Sequence, residues 1–165
     1  MAKPKSALKT PTDLDDNQLK GVASALNVAL ANSYAIYLKT KNFHWHVSGP
    51  HFRDYHLLLD EQAAEILATT DLIAERVRKT GGTTLRSIGN ISRLQQVKDN
   101  DADYVSAADM LAELQADNRV LVESLRAVKE QAEEADDIAT SGLVDEWVDQ
   151  AEKRVWFLFE TGRNG

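Results

Sequence analysis

The chain has 165 residues, of which 43% are hydrophobic and 27% are charged, and it contains no cysteine. These values are those of a single globular domain, and they exclude disulfide bonds and cysteine-ligated zinc. The formal charge of −7 argues against a surface that coats nucleic acid. Lys3, Lys5 and Lys9 lie within the first ten residues, which hold no acid, so the other 155 residues carry a formal charge of −10.

The basic start of the chain is not followed by an apolar stretch of signal-peptide length, and no later segment approaches the roughly 20 apolar residues of a membrane span. We therefore expect a cytoplasmic protein without a membrane partner. Polar composition together with Pro4 and Pro11 predicts a flexible basic arm over residues 1–13. The remainder, residues 14–165, is expected to form one helical domain.

The first long helix is predicted to begin at the Asp15-Asp16-Asn17 cap, because apolar residues then recur at spacings of three and four as far as His44. Gly49-Pro50 breaks this pattern. The second long helix is predicted from about His51 to Thr80, where Gly81-Gly82 supplies a stop signal.

The segment 81–104 is too rich in Gly, Asn and Asp for a long helix, although Ile88, Ile91, Leu94 and Val97 fit a short one. Ser106 is predicted to cap a third long helix that extends to about Glu134. A turn near 136–141 leads to the fourth, which ends at Thr161-Gly162. The inward face of this last helix is expected to comprise Leu143, Val144, Trp147, Val148, Ala151, Val155, Leu158 and Phe159.

Two helical hairpins joined by a long crossover form a bundle of the ferritin-like type. We therefore predict an all-α fold, in which residues 14–165 form a ferritin-like four-helix bundle. A short extra helix should lie in the crossover between the second and third long helices. The sequence shows no internal repeat and no strand pattern.

Four potential metal ligands lie on one stripe of the second long helix. His56 and Asp60 are four residues apart, as are Asp71 and Glu75, so the members of each pair share a face of the helix. All four fall within an arc of about 100°, but the two pairs are roughly 22 Å apart along the helix axis. One chain therefore cannot complete a metal site with these residues.

A second copy of the chain can supply the missing half of each site. If the helix packs antiparallel against its own copy about a two-fold axis near Glu65, the first pair of one chain meets the second pair of the other, and the dimer gains two identical sites. Imidazole and carboxylate ligands suit Fe(II) or a similar first-row ion. The alternative is an amphipathic helix with solvated carboxylates and a structural histidine. Both pairs on one stripe, with His44 just upstream, favour the metal site.

Three stretches of the sequence resemble the Dps proteins, the small ferritins of starved cells. They are Lys41-Asn-Phe-His44-Trp45-His-Val-Ser-Gly49-Pro-His-Phe52, then His56-x3-Asp60 with Asp71-x2-Ala74-Glu75-Arg76 and Gly81-Gly82, and finally Lys153-Arg-Val-Trp156-Phe-Leu. The likeness covers the first two long helices closely and returns near the end of the chain. It implies a bundle with a short helix in the middle crossover, assembled as a hollow homododecamer.

The resemblance also implies an iron-oxidising centre at the two-fold interface. Its ligands would be His44, His56 and Asp60 of one chain with Asp71 and Glu75 of its neighbour. There Fe(II) would be oxidised, preferably by hydrogen peroxide, and the ferric product stored as a mineral in the central cavity, which protects DNA from oxidative damage. Asp71 could instead orient a histidine or hold a water molecule.

Other residues match or depart from family positions. Trp45 would quench radicals, with a purely packing role as the alternative, whereas His46 and His51 are interpreted as surface residues. Acidic residues at the turn between the third and fourth long helices could line a three-fold iron-entry pore. They are Glu133, Glu134, Asp136, Asp137 and Asp145. The sequence has no Glu-x-x-His motif, which favours the intersubunit centre over an ordinary di-iron ferritin or one with haem, and no haem is expected.

DNA binding is a second hypothesis, because several Dps proteins bind DNA through lysine-rich mobile termini. Lys3, Lys5 and Lys9 would act together on the twelve arms of one particle. The chain would then be a DNA-binding nucleoid protein with minor iron chemistry, although its acidic body opposes this. A third reading is a structural bundle without chemistry, in which loss of His44 and His56 would leave iron oxidation unchanged.

Overall fold

A computed structural model describes residues 8–163, and this part of the chain consists of five α-helices and no strand. Helix α1 spans Asp16–His46, α2 spans Phe52–Lys79, α3 spans Ile88–Leu94, α4 spans Ala107–Glu134 and α5 spans Ile138–Thr161. The predicted all-α, ferritin-like bundle is confirmed, including the short helix in the crossover between α2 and α4. The expected ends of α1 and α2 agree with the structure to within two residues.

The helix ends form where local side-chain chemistry satisfies free backbone groups. Asp15 caps α1 by accepting hydrogen bonds from the backbone N–H of Asn17 and Gln18, at 2.8 and 2.9 Å, and the Gln18 side chain bonds back to Asp15. Ser106 caps α4 as predicted, by accepting from the Asp109 N–H at 3.1 Å. After α2, Gly81 adopts a φ of +98°, which a side chain would oppose.

Helix α1 is the central element, since it packs against α2, α3 and α4 while α5 packs mainly on α4. The larger apolar core includes Val22, Leu26 and Ile36 of α1, all fully buried. A second apolar cluster at one end of the bundle includes Phe43, Leu59, Leu114 and Leu158. This second cluster supports the last turn of α1 and the first turns of α2, where His44 and His56 lie.

Two expectations about the last helix are wrong. Helix α5 begins at Ile138, within the segment 136–141 that was predicted to be a turn, because Asp137 supplies the cap by accepting from the Thr140 N–H at 3.0 Å. Phe159 was expected to face inward, but it is 44% exposed.

The short crossover helix ends earlier than the sequence predicts. Val97 lies beyond the end of α3 and is buried in the main core.

By length and composition alone, α1 could cross a membrane, since it has 31 residues and a mean hydropathy of 1.2 in its most apolar window. No other described helix meets this test, and the expectation that no segment would approach a span fails for α1. The apolar character of α1 has a second explanation in this fold. The helix packs against three others, and residues such as Val22 and Leu26 contribute to the core.

The predicted arm covers residues 1–13, of which the structure describes only residues 8–13. This described part contacts the end of α2, because Arg78 donates hydrogen bonds to the Leu8 carbonyl at 2.6 Å and to the Thr10 hydroxyl at 3.4 Å. Lys9 forms an ion pair with Asp16 at 3.2 Å. Lys3 and Lys5 lie outside the described residues.

Candidate metal centre

His44 and His56 hold each other in place where α1 ends and α2 begins. The His44 Nδ1 atom lies 2.7 Å from the His56 carbonyl oxygen, and the His56 Nδ1 atom lies 2.8 Å from the His44 carbonyl oxygen. The two imidazole rings stack with their centroids 3.7 Å apart. The pair therefore ties the last turn of α1 to the first turns of α2, and it fixes the orientation of both rings.

These backbone contacts determine which ring nitrogens are available. A carbonyl oxygen can only accept, so each Nδ1 must carry the hydrogen, and in a neutral imidazole the lone pair is then on Nε2. This is the arrangement in which a second hydrogen bond orients a metal-ligating histidine. His44 is 9% exposed, so its ring is held rather than solvated. The structure thus provides two prepared nitrogen ligands side by side.

Asp60 adds a carboxylate to the two imidazoles. Its Oδ1 atom lies 3.8 Å from the His44 Nε2 atom and 2.8 Å from the Lys41 Nζ atom. The hydrogen bond and the positive charge of Lys41 hold the pKa of Asp60 below its ordinary value of 3.8. The carboxylate is therefore ionised at neutral pH and available to a cation. We call His44, His56 and Asp60 the histidine half-site.

Asp71 and Glu75 lie exposed further along α2, and we call them the acidic half-site. Glu75 forms an ion pair with Lys79 at 3.4 Å, in which both side chains are largely solvated. Asp71 has no ion pair or side-chain hydrogen bond with the described residues. The structure brings neither carboxylate to the histidine half-site of the same chain, and no three His, Asp or Glu side chains within residues 8–163 are placed to hold a metal ion together.

The surface between the two half-sites is apolar. Leu67, between the two half-sites, is 41% exposed, and Leu57, between His56 and Asp60, is 44% exposed; both lie on the arc of α2 that carries the four metal-ligand candidates. Trp45, next to His44 on α1, is 59% exposed. Exposed apolar side chains beside the candidate ligands would suit a helix that packs against another chain.

Comparison with known proteins identifies the family to which this fold belongs. The ferritin-like domain family matches residues 23–163. The DNA protection during starvation protein of Brevibacillus brevis is 35% identical over 137 residues, which cover 83% of this chain and 91% of that protein. The chain belongs to the Dps family of ferritin-like proteins.

Other members of the Dps family show how far the likeness extends. The DNA protection during starvation protein of Agrobacterium fabrum is 32% identical over 91% of this chain and 93% of its own length. The X-ray structure of Dps from Thermosynechococcus elongatus superimposes with a TM-score of 0.86 at 30% identity, covering 90% of this chain and 94% of that one. The structure of a Vibrio cholerae Dps protein, whose description places it among ferritin-like diiron-carboxylate proteins, gives a TM-score of 0.88 at 26% identity, covering 96% of this chain and 99% of that one.

The proposed pore residues do not share one environment. Asp137 is 7% exposed, and its carboxylate accepts from Arg76 at 2.9 Å as well as capping α5. Asp145 bonds to Lys129 at 2.7 Å, and this hydrogen bond raises the pKa of Lys129. Glu134 and Asp136 are exposed. A pore lined by the acidic residues of this turn stays a prediction, and Asp137 is the least available of them to a passing cation.

His46 and His51 are exposed, as expected for surface residues. The His46 Nδ1 atom lies 2.8 Å from the carbonyl oxygen of Asn42, so the ring is turned back along α1. His51 precedes α2 and packs its ring against Tyr55 at a centroid distance of 5.7 Å. Neither residue joins the histidine half-site through a hydrogen bond or ring contact.

The sequence did not assign a role to Lys41, although Lys41 begins the stretch that resembles Dps proteins. Its contact with Asp60 links positions that are 19 residues apart, on two different helices. A similar pair lies inside the bundle, where Lys39 donates a hydrogen bond to Glu113 and forms an ion pair with Asp117 of α4, each at 2.8 Å. A lysine near the carboxylate-bearing helix was the only signal available, and lysines are too common on helices for that signal to be specific.

Proposed function

We propose that this protein oxidises Fe(II), preferably with hydrogen peroxide, at centres formed between two chains, and that it stores the ferric product inside a dodecameric shell. Consuming iron and peroxide together limits the formation of hydroxyl radicals and so protects DNA. Two relatives in the family, from Brevibacillus brevis and Agrobacterium fabrum, are named DNA protection during starvation proteins. The ferritin-like fold supports iron storage.

The observation that carries this proposal is the mutual hydrogen bonding of His44 and His56. One hydrogen bond from each ring is enough to hold the pair in place, and both of these bonds use the Nδ1 atoms. The Nε2 atoms are not needed to hold the rings. The Nε2 atom of His44, which keeps its lone pair, lies 3.8 Å from Asp60 Oδ1. Nitrogen and carboxylate donors in this combination suit first-row divalent ions such as Fe(II).

The acidic half-site completes each centre if α2 packs antiparallel on its copy. The four candidates on α2 are symmetric about a point near Glu65, so one two-fold axis creates both centres at once. Five ligands from two chains would leave coordination positions for water or peroxide. Two Fe(II) ions then each give one electron to hydrogen peroxide, which takes up two protons and leaves as two water molecules with two Fe(III) ions formed.

The test is addition of Fe(II) and hydrogen peroxide, without air, to the metal-free protein, followed by size-exclusion chromatography with ferric absorbance recorded on the eluting particle. We expect rapid oxidation and ferric iron that elutes with a shell-sized particle. The matched variant carries His44→Ala and His56→Ala and should lose most of the oxidation while the shell still forms. Unchanged oxidation by an intact variant shell would support a structural bundle without chemistry.

DNA binding through the N-terminal segment is the second candidate function. The observation that favours it is the division of charge, since the first ten residues carry three lysines and the rest of the chain carries a formal charge of −10. Lys9 already pairs with Asp16, so binding would depend chiefly on Lys3 and Lys5. Twelve copies of the segment on one particle would act together.

A gel-shift titration at two or more salt concentrations tests this second function. Binding should weaken steeply with salt, because lysine contacts to phosphate release counterions, and it should vanish when residues 1–10 are deleted. A Lys9→Ala variant is the control that leaves Lys3 and Lys5 in place and should retain most of the binding. A gel shift that survives the deletion would exclude the N-terminal segment as its cause.

A further inference from the structure

We propose that Lys41 is a built-in counter-cation of the metal centre, which the incoming divalent ion must displace from Asp60, and that the face of Trp45 receives the displaced ammonium group. The inference rests on the metal centre proposed above and adds a residue that controls its affinity. Lys41 does not touch the reacting ions in this scheme. It acts through the carboxylate that does.

The first observation is that one oxygen atom has two competing uses. Asp60 Oδ1 is the atom that lies 3.8 Å from His44 Nε2, so it is the oxygen placed to share an ion with that imidazole. The same Oδ1 atom is bonded to the Lys41 ammonium group at 2.8 Å. A divalent cation bound at Oδ1 and an ammonium group bonded to the same oxygen atom would repel each other. We therefore expect Lys41 to move away when an ion binds at Oδ1.

The second observation identifies where Lys41 moves. Lys41 and Trp45 are one turn apart on α1, and the Nζ atom already lies 5.9 Å from the centroid of the Trp45 ring. This distance is at the outer limit of a cation–π contact. A rotation within the Lys41 side chain brings the ammonium group closer to the ring without any backbone change. Trp45 is 59% exposed in the single chain, and reception of the Lys41 ammonium group would give it a role in the metal centre.

The acidic half-site shows the contrasting case. Glu75 is paired with Lys79 at 3.4 Å, a longer contact than the 2.8 Å between Lys41 and Asp60, and the Lys79 side chain is 61% exposed in the single chain. The Lys41 side chain is only 20% exposed. Lys41 is therefore the more closely held of the two lysines, and it is the one with an aromatic ring nearby to receive it. We expect the histidine half-site to be the one whose affinity is limited by its lysine.

The experiment is anaerobic calorimetric titration of the full-length, metal-free protein with Zn²⁺, which accepts the same nitrogen and oxygen ligands but undergoes no redox reaction. Lys41→Met removes the charge and keeps the length of the side chain. It should tighten Zn²⁺ binding by about three- to tenfold, because the ion no longer competes with an ammonium group. Lys41→Arg, which keeps the charge, should show no tightening. Lys20→Met, an exposed lysine of the same helix without an ion pair among the described residues, is the control for loss of one charge.

A crystal structure of the Zn²⁺-loaded protein supplies an independent readout. The Lys41 Nζ atom should lie more than about 4 Å from Asp60, beyond ion-pair distance, and closer to the Trp45 ring than in the metal-free chain. Equal Zn²⁺ affinity of Lys41→Met and Lys20→Met, or a Lys41 that stays bonded to Asp60 beside the ion, would overturn the inference. If the wild-type protein binds Zn²⁺ no better than its His44→Ala, His56→Ala variant, the metal centre itself is rejected, and this inference with it.

Discussion

Lys39 and Lys41 lie two residues apart on α1, on opposite sides of the helix, and each bonds to a carboxylate at 2.8 Å. Lys39 points into the bundle, where its side chain is 5% exposed and contacts Glu113 and Asp117. Lys41 points outward to Asp60, whose side chain is 57% exposed. The two ion pairs have the same chemistry and the same distance, and they differ in their access to water.

That difference separates a structural ion pair from an exchangeable one. Inside the bundle, the side chains of Lys39 and Asp117 are only 5% and 10% exposed, so each depends on the other, whereas Glu113 is 31% exposed. At the surface, water and dissolved cations compete for Asp60 continuously, and the pair contributes little to stability. A protein that binds metal ions reversibly needs carboxylates of the second kind. The first kind links α1 to α4 and so supports the end of α1 that carries the proposed ligand His44.

Removing the buried lysine should have the largest effect on stability. Lys39→Met leaves Glu113 and Asp117 without their cation, and we expect it to lower the free energy of unfolding by about 3 kcal/mol. Equilibrium unfolding in guanidinium chloride measures this, with Lys20→Met as the control. The matched outer variant, Lys41→Met, should unfold close to wild type. Similar unfolding curves for the two variants would show that burial does not distinguish the pairs.

Removing the Asp60 carboxylate should lower the rate of iron oxidation but change the stability little. Asp60→Asn keeps the shape of the side chain but takes away a negatively charged ligand, and we expect the rate of Fe(II) oxidation to fall by about 100-fold. The unfolding curve should change little, since Asp60 is exposed in the chain. Stopped-flow measurement of ferric absorbance gives the rate. A variant that oxidises iron normally would remove Asp60 from the centre.

The two carboxylates should also respond to pH with opposite signs. Burial raises the pKa of Asp117 above its ordinary value of 3.8, while Lys41 lowers that of Asp60 below it. As pH falls through the folded pKa of Asp117 towards 3.8, the folded state takes up the proton first, so protonation of Asp117 favours folding. The stability that ionised Asp60 contributes is complete above pH 3.8. It is lost as the pH falls through the pKa of Asp60 in the folded state, which is lower than 3.8.

This sign difference is measured by comparing each protein with its amide variant. Thermal unfolding midpoints of wild type and Asp117→Asn are recorded from pH 7 down to pH 4, and wild type should gain stability relative to the variant on acidification. Relative to Asp60→Asn, the wild-type protein should lose stability only below pH 3.8. A wild-type protein that loses stability relative to Asp117→Asn between pH 6 and pH 4 would contradict the raised pKa.

Local patterns predicted the helices well, because caps and stop signals act within a few residues. Asp15, Ser106 and Gly81 each lie where the sequence placed them. The early start of α5 was missed because residues 136–141 were predicted to be a turn, whereas Asp137 caps the helix and also accepts a hydrogen bond from Arg76 of α2.

The candidate ligands on α2 could be predicted from a four-residue spacing within one helix. Their hydrogen-bond partners could not, because those depend on the register between two helices. Lys41 meets Asp60 across 19 positions, and Lys39 meets Glu113 across 74. Nothing in the local sequence around Lys39 and Lys41 says which lysine is buried. That distinction follows from which side of α1 faces α4.

Trp45 offers the smallest and most specific test of the comparison between the two lysines. Trp45→Leu keeps an apolar side chain but removes the aromatic face, so a displaced Lys41 loses a contact worth about 0.5–1 kcal/mol. Zn²⁺ affinity should therefore fall by about two- to fivefold in calorimetric titration. The same substitution combined with Lys41→Met should have no further effect on affinity, because no ammonium group remains to be received. An equal loss with and without Lys41 would mean that Trp45 supports the metal centre directly rather than through the lysine.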